Sequence, residues 1–330
     1  MTNPAASPAP PETQTPAVRL AFGKRLLAWY TRNRRELPWR RSHDPYHVWL
    51  SEIMLQQTRV AAVLGHYERF LERFPTVQKL AAAGEASVLA AWSGLGYYRR
   101  ARMLHAAAKK IVRELGGSIP STSAGLRNLP GIGRYTSAAI ASIAFNEPVP
   151  VVDGNVERVL QRIAGTRLSE RELWQNAAAW LSRSRPGDFN QAMMELGATL
   201  CLPGEPLCEA CPVAQFCRTR GRGPLPKAKV RQRKRKVFYA LNCRNGSVLM
   251  VKRPPGSSLM PNMWELPEIS PQTAEPEMNL KHSITVTDYS VHVMRNGTAR
   301  AEGRWVPKSQ LALLPLTGLA RKILRKAELI

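Results

Sequence analysis

The chain contains no run of 18 apolar residues, so a membrane-spanning helix is not expected. Cysteine is rare, five in 330 residues, which sets aside a scaffold built on disulfides. The first 17 residues hold five prolines and no apolar core, so they do not read as a secretory leader. Acid is the scarcest of the charges. The chain has 24 Asp and Glu against 48 Lys and Arg, a formal net charge of +24. That surplus points to a polyanionic partner, most simply nucleic acid. A disordered basic tail does not fit, because 44% of the residues are hydrophobic, enough to bury a core. The expectation is a soluble intracellular protein of about two domains with a strongly basic surface.

The charge is uneven. Residues 218–236 read RTRGRGPLPKAKVRQRKRK, ten of nineteen being Lys or Arg and none acidic. Gly221, Gly223, Pro224 and Pro226 break a helix there, so the stretch reads as a basic linker able to touch phosphates. Residues 1–17 read as a Pro/Ala-rich tail. Between tail and linker, residues 18–217 carry helical periodicity, as in Val18, Phe22, Leu26 and Trp29. Asp44-Pro45 suits a helix start. Val60, Val63, Leu64, Tyr67 and Phe70 mark another helix, and alanine-rich stretches at 81–92 and 101–115 continue the pattern. Residues 237–330 differ. VFYALNC, a turn at Arg244-Asn245-Gly246 and SVLMVKR predict a hairpin, and SITVTDYSVHVM predicts one further strand.

Two motifs carry chemistry. Cys201, Cys208, Cys211 and Cys217 form C-x6-C-x2-C-x5-C, four thiols within 17 residues that can wrap one metal centre. Paired C-x2-C knuckles favour zinc; a single one with wider flanks suits a [4Fe–4S] cube. Cys243 stands apart as a strand residue. The second motif is Leu129-Pro130-Gly131-Ile132-Gly133-Arg134-Tyr135-Thr136, a glycine turn between two helical segments. Gly131 and Gly133 permit a tight turn that aims backbone N–H groups outward at a helix start, a ready phosphate site.

With VPVVDGNVERVL, these motifs resemble the helix-hairpin-helix base-excision DNA glycosylases of the endonuclease III type. LPWR (37–40), DPYHVWLSEIMLQQTRV (44–60), GLGYYRRARMLH (94–105) and FNQAMMELGA (189–198) look like the branch that removes adenine mispaired with 8-oxoguanine. The resemblance is dense over 18–217 and thinner over 237–330. It implies a mainly α, two-lobed body with a hairpin at about 126–140, a [4Fe–4S] loop at 201–217, and a shortened, α+β Nudix-like reader domain at 237–330. It also implies a monomer acting in the cytoplasm, on the nucleoid if bacterial, on duplex DNA with A:8-oxoguanine or A:G mispairs.

Breaking an N-glycosidic bond needs a proton for the leaving base and a partner for the cationic sugar, which two carboxylates of separated pKa can supply. Glu52 sits among Trp49, Ile53, Met54 and Leu55, a setting that raises a carboxyl pKa and suits a general acid. Asp153 follows Val149-Pro150-Val151-Val152 at a helix start, where backbone N–H groups favour the ionised form. The family's strand-cutting members carry a Schiff-base lysine where this chain has Tyr135, so the resemblance implies a monofunctional glycosylase. Tyr135 and Asn155 would bond to the catalytic groups. Trp39, Arg40 and Glu195 match the base pocket, and Gln57 and Tyr97 match residues that fill the gap left by a flipped nucleotide. Thr58 and Leu95 match positions beside the opposing 8-oxoguanine. Trp39 and Leu95 suit a core equally well. The reader loop of the family often carries Phe-Ser-His, where this chain has Ile284-Thr285-Val286. Thr285 keeps a hydroxyl, but Val286 cannot replace an imidazole. Either Thr285 and its neighbours suffice, or discrimination against guanine is reduced. The cysteines read as a clip that presents Arg218, Arg220 and Arg222 to phosphates. Two other readings stay open: a thymine or oxidised-pyrimidine glycosylase on the same body, and a non-catalytic lesion-binding or redox-sensing protein.

Overall fold

The computed structural model describes residues 15–220, 233–271, 274–284, 287–297 and 302–330. Its contacts divide the chain into two compact units, Met1–Ile53 with Ser118–Pro226 and Met54–Gly117 with Lys227–Ile330. Among the described residues no helix is long and apolar enough to cross a membrane.

Helix α1 (Pro16–Asn33) starts with Thr15 accepting from Val18 N and Pro16 in the first turn, so the helix begins just inside the expected tail. Its apolar stripe buries Phe22, Leu26 and Tyr30, while Trp29 is only half-buried. In α2 (Pro45–Leu55), Asp44 Oδ1 caps the start, accepting from Tyr46 N at 2.8 Å and His47 N at 3.1 Å. α3 (Val60–Arg73) buries Val63, Tyr67 and Phe70, as their spacing predicts. α4 (Val77–Ala82), α5 (Glu85–Trp92) and α6 (Arg99–Glu114) follow. Phe70 of α3 meets Trp92 of α5 edge-on, with ring centres 5.8 Å apart.

The chain next enters α7 (Ser123–Leu126), α8 (Arg134–Phe145), α9 (Gly154–Ala164), α10 (Glu170–Trp180) and α11 (Pro186–Thr199), all in the first unit. α11 is its spine. A Cβ on Gly187 would lie 2.5 Å from Ser142 O, and one on Gly197 would lie 2.6 Å from Asn155 Cβ. Both glycines therefore let neighbouring backbones touch α11, Gly187 that of α8 and Gly197 that of α9. This close approach packs the start of α9 and the face of α8 against the same helix.

The C-terminal part holds strands β1 (Arg233–Leu241), β2 (Cys243–Arg244), β3 (Ser247–Lys252), β4 (Trp264–Glu265), β5 (Glu268–Ile269), β6 (Met278–Ile284), β7 (Thr287–Arg295) and β8 (Arg304–Pro307). Two short helices follow, α12 (Lys308–Leu311) and α13 (Gly318–Lys326). One sheet runs β5-β1-β7-β6; the other runs β2-β3-β4, with β8 also on β3. The expected hairpin is corrected here. The turn at Asn245-Gly246 exists, with φ of 47° and 70°, but it joins only the two residues of β2 to β3. β1 instead pairs in parallel with β7 along its whole length and antiparallel with β5. The reason is legible in β1 itself. Val237, Tyr239 and Leu241 are buried on one face and Ala240 on the other, which suits a central strand rather than a hairpin arm. SITVTDYSVHVM likewise spans two strands, β6 and β7, paired antiparallel from Ile284↔Thr287. Arg233–Lys236, counted with the linker, are the exposed start of β1. The core here joins Val237, Val248, Met250, Val291, Val293 and Val306 to Leu319 and Ile323 of α13.

Candidate active site

Four elements of the first unit converge on one buried carboxyl. Glu52 projects from α2 with 7% exposure. Tyr135, on the first turn of α8, donates its hydroxyl to Glu52 Oε2 at 2.8 Å and also lies 3.2 Å from Met194 Sδ of α11. Burial raises the Glu52 pKa to about 7; the Tyr135 hydrogen bond opposes this and the charge of Asp153 adds to it. At neutral pH the group therefore carries a proton much of the time. The Tyr135 phenol is pushed well above its ordinary range by burial and by Glu52 and Asp153, so it is a neutral donor.

Asp153 caps α9. Its Oδ1 accepts from Asn155 N at 3.0 Å and Val156 N at 2.7 Å, and its Oδ2 accepts from Asn155 Nδ2 at 3.0 Å. The capping role is as expected, but the expected low pKa is not. Burial raises it, and the hydrogen bonds and Arg158 only partly offset that. Asn155 is locked in turn, its Oδ1 accepting from Arg158 Nη2 at 2.9 Å. Arg158 also donates to Cys201 O and Gly197 O at 2.7 Å each. The start of α9 is thus tied to both the end of α11 and the cysteine loop. Arg158 was not legible in the sequence, where VERVL reads as an ordinary amphipathic turn.

Glu195 is 1% exposed and fully engaged. Arg35 grips it with Nε at 2.7 Å from Oε1 and Nη2 at 2.9 Å from Oε2, and its backbone N–H adds a bond at 3.1 Å. Arg40 Nη2 donates to Oε2 at 2.8 Å. Burial alone would raise the Glu195 pKa, but these bonds overcome it and hold the group at about 2. Arg40 also lies over the Tyr30 ring, 5.5 Å from its centre, and Trp39 is buried nearby in sequence at 7% exposure. Arg35 is a residue that sequence reasoning missed, hidden in the basic run RNRRE. Two carboxylates in one unit are thus tuned apart: Glu52 titrates near neutral pH and Glu195 is fixed as an anion.

The glycine turn has its expected shape. Gly131 takes a φ of 75°, and Gly133 is the extended N-cap of α8, bringing no side chain to the first-turn N–H groups. A Cβ on Gly133 would meet nothing within 4 Å. Arg134 stacks on Trp174 with its guanidinium carbon 3.8 Å from the ring centre.

Gln57, Thr58, Leu95 and Tyr97 belong to the second unit. Gln57 and Tyr97 are both exposed and both left-handed, with φ of 55° and 48°, a strained state for such side chains. Leu95 is buried at 6% exposure. Arg100, again missed from sequence, staples the two loops. It donates to Met54 O at 2.9 Å, to Gln56 O, to Thr58 Oγ1 at 3.1 Å and to Leu95 O at 3.2 Å. Burial lowers its pKa to about 10. Thr285 and Val286 lie outside the described residues, as does Arg222.

Cys201, Cys208, Cys211 and Cys217 are all unpaired thiols, partly buried. Among the described residues no group of His, Cys, Asp or Glu is drawn together as the ligands of one ion. Two of them respond to their neighbours. Burial and then the charges of the other three raise the Cys211 pKa to about 11, and burial with Cys217 and Cys201 raises that of Cys208. Four thiols on one short loop, two of them raised by burial and by their neighbours' charge, are a soft donor set of the kind an iron–sulfur cluster takes, so the residues fit the group. Arg162 Nη1 lies 3.2 Å from Cys201 Sγ, and Cys217 Sγ lies 3.3 Å from Arg162 O. Arg218 N and Thr219 N bond to Ile163 O and Arg162 O, seating the loop's exit on the end of α9.

Residues 50–182 match the family of the HhH-GPD superfamily base excision DNA repair protein. The chain is 49% identical over 217 residues to an adenine DNA glycosylase of Homo sapiens, covering 61% of this chain and 40% of that one. It is 38% identical over 309 residues to the adenine DNA glycosylase of Arabidopsis thaliana, covering 78% and 48% respectively. The chain thus spans about half the length or less of these curated relatives. Among solved structures, a thermostable thymine-DNA glycosylase aligns with a TM-score of 0.58 and 28% identity, over 61% of this chain and 96% of that one. A non-covalent endonuclease III–DNA complex aligns with a TM-score of 0.54 at 23% identity, over 62% and 95%, which bears on the fold alone. The helical part has this endonuclease III-like glycosylase fold, followed by a small α+β part.

Proposed function

We propose that this chain is a monofunctional DNA glycosylase that hydrolyses the N-glycosidic bond of adenine opposite 8-oxoguanine or guanine and leaves an abasic site. The observation that carries the reading is the buried Glu52–Tyr135 pair beside Asp153. Glu52, protonated near pH 7, gives its proton to the leaving adenine. Asp153 stabilises or covalently traps the sugar cation that the departing base leaves. Tyr135 and Asn155 orient the two carboxyls. No lysine amine stands at position 135 to form a Schiff base, so strand cleavage is not part of the reaction. Trp39, Arg40 and Glu195, with Arg35, line the base pocket. Gln57 and Tyr97 fill the gap in the duplex, Gly131 and Gly133 receive a backbone phosphate, and Thr58, Leu95 and Thr285 stand near the opposing base. The four cysteines would hold a [4Fe–4S] cluster whose contribution is to fix the loop that begins at α11. The α+β part is the Nudix-like reader, on a chain acting as a monomer in the cytoplasm or on a nucleoid.

The test is direct. Duplexes holding A:8-oxoguanine, A:G, T:G and thymine glycol are incubated with the protein, and strand breaks are scored with and without alkali. Breaks on A:8-oxoguanine only after alkali are expected. Processing of T:G alone would favour the thymine glycosylase reading, which the structural likeness to such an enzyme keeps in view. Unaided strand cleavage on thymine glycol would overturn the monofunctional assignment.

A further inference from the structure

The loop between α5 and α6, residues 93–98, is held by the C-terminal part of its own unit. Leu316 O accepts from Ser93 Oγ at 3.0 Å and from Tyr98 Oη at 2.8 Å. Arg321 Nε donates to Ser93 Oγ at 2.8 Å, and His66 Nε2 lies 3.2 Å from Ser93 O. Ser93, Tyr98 and Leu316 are all buried, at 5%, 2% and 0% exposure. Gly94, at a φ of 110°, has no room for a side chain, since a Cβ would come 2.9 Å from His66 Nε2. The anchor is itself fixed. Leu316 bridges to Trp264, Thr317 N donates to Trp264 O at 2.9 Å, and the Thr317 side chain caps α13. Arg100 fixes the other side of the loop through Leu95 O and Gly96 O. What projects between these fixed points is Tyr97, 44% exposed and left-handed.

We propose that Ser93, Tyr98 and Arg321 are positioning residues, through which the C-terminal α+β part holds Tyr97 in the conformation that enters duplex DNA. The inference rests on the reading of Tyr97 given under Proposed function. A loop with two glycines and a strained tyrosine relaxes when its anchors are cut, because many backbone states become available. Each lost fraction of the competent conformation weakens apparent binding in proportion. Leu316 O has two lone pairs and two donors, so removing one donor leaves a partial clamp and removing the Arg321 contact loosens the other side.

The experiment is a double-mutant cycle on the full chain. Tyr98→Phe with Arg321→Ala is made in the native background and in Tyr97→Ala. Binding to a fluorescent duplex with an uncleavable abasic analogue opposite 8-oxoguanine is read by anisotropy, and amide exchange is read over 93–98. In the native background, about five- to tenfold weaker binding is expected, with faster exchange confined to the loop. In Tyr97→Ala the same pair should weaken binding no further, and Arg321→Lys, which keeps a donor, should restore most of the loss. Equal weakening in both backgrounds would overturn the proposal, because the residues would then act by charge or by general stability. Unchanged binding would overturn it too. Neither readout needs excision. A protein that obeys the cycle yet excises no adenine would sink the functional reading and leave the clamp standing.

Discussion

The two units treat polar groups in opposite ways. In the first, Glu52 and Glu195 are buried and met by donors from other elements, while the half-buried Asp153 and Asn155 are held by donors of α9 itself. In the second, Gln57 and Tyr97 are exposed, and the effort goes into the backbone, held left-handed by Arg100 and by the Ser93–Leu316–Tyr98 contacts. The first arrangement fixes protonation states, which chemistry on a bond requires. The second stores conformational strain at exposed side chains, which suits the entry into a base stack proposed for them.

Glu52→Gln probes the first arrangement and has the largest expected effect. The amide cannot give up a proton, so single-turnover excision should fall by about 10² to 10⁴. Stability should move the other way. The folded carboxyl titrates near 7 against an ordinary 4.5, so the folded state holds the extra proton in that window. The stability it confers is complete below about 4.5 and is lost as pH rises through 7, a loss on the order of 3 kcal/mol. Urea melts at pH 5 and pH 8.5 should therefore show the pH dependence shrink in the variant. The native rate should likewise decline above about pH 7 as the acid deprotonates. A variant that excises normally would remove Glu52 as the proton donor.

Tyr135→Phe is gentler. The hydroxyl lowers the Glu52 pKa, so its loss should shift the alkaline limb of the rate profile to higher pH. The rate plateau should drop about tenfold as the carboxyl loses its orienting bond. An unmoved limb would mean that the hydrogen bond at 2.8 Å does not set the acid.

Gly197→Ala tests the packing that assembles the site. Its Cβ would lie 2.6 Å from Asn155 Cβ and 3.0 Å from Asn155 O, and both belong to α9 rather than to a flexible tip. Pushing α9 away should cost about 1–3 kcal/mol in a thermal or urea melt and disturb Asn155 and Asp153 together. Wild-type stability in this variant would mean that α9 can yield without cost.

The same contrast explains what the sequence could and could not disclose. Glu52, Tyr135 and Asp153 were legible because each lies in a dense local pattern: an apolar helix, a glycine turn, a cap before GNVERV. The residues that stayed hidden, Arg35 on Glu195, Arg100 on Thr58 and Arg158 on Asn155, come from ordinary-looking stretches. In a chain with 48 Lys and Arg, no local signal separates an arginine that grips another group from a solvated one. Asp153 shows a second limit. The cap was readable, but burial is a tertiary property, and it outweighed the bonds that would lower its pKa. The β1 pairing failed for a third reason. A turn signal at Asn245-Gly246 reveals where the chain reverses but not how long the paired arms are, and β1 took its partner from β7, some 50 residues on.

Tyr97→Gly gives the smallest effect on the fold and the clearest test of the second arrangement. At a φ of 48° a tyrosine carries strain that glycine does not, on the order of 1 kcal/mol. Glycine also has more freedom to lose on folding, which offsets part of that gain. The net change in melting should therefore be slight and in the stabilising direction. Binding to a duplex with the uncleavable abasic analogue should nonetheless weaken, because the ring proposed to enter the stack is gone. Stability and binding parting company at one exposed residue is the expected mark of strain held for a purpose. A variant that melts clearly lower would place Tyr97 among the packing residues of its unit, and the contrast between the two regions would then fail at its sharpest point.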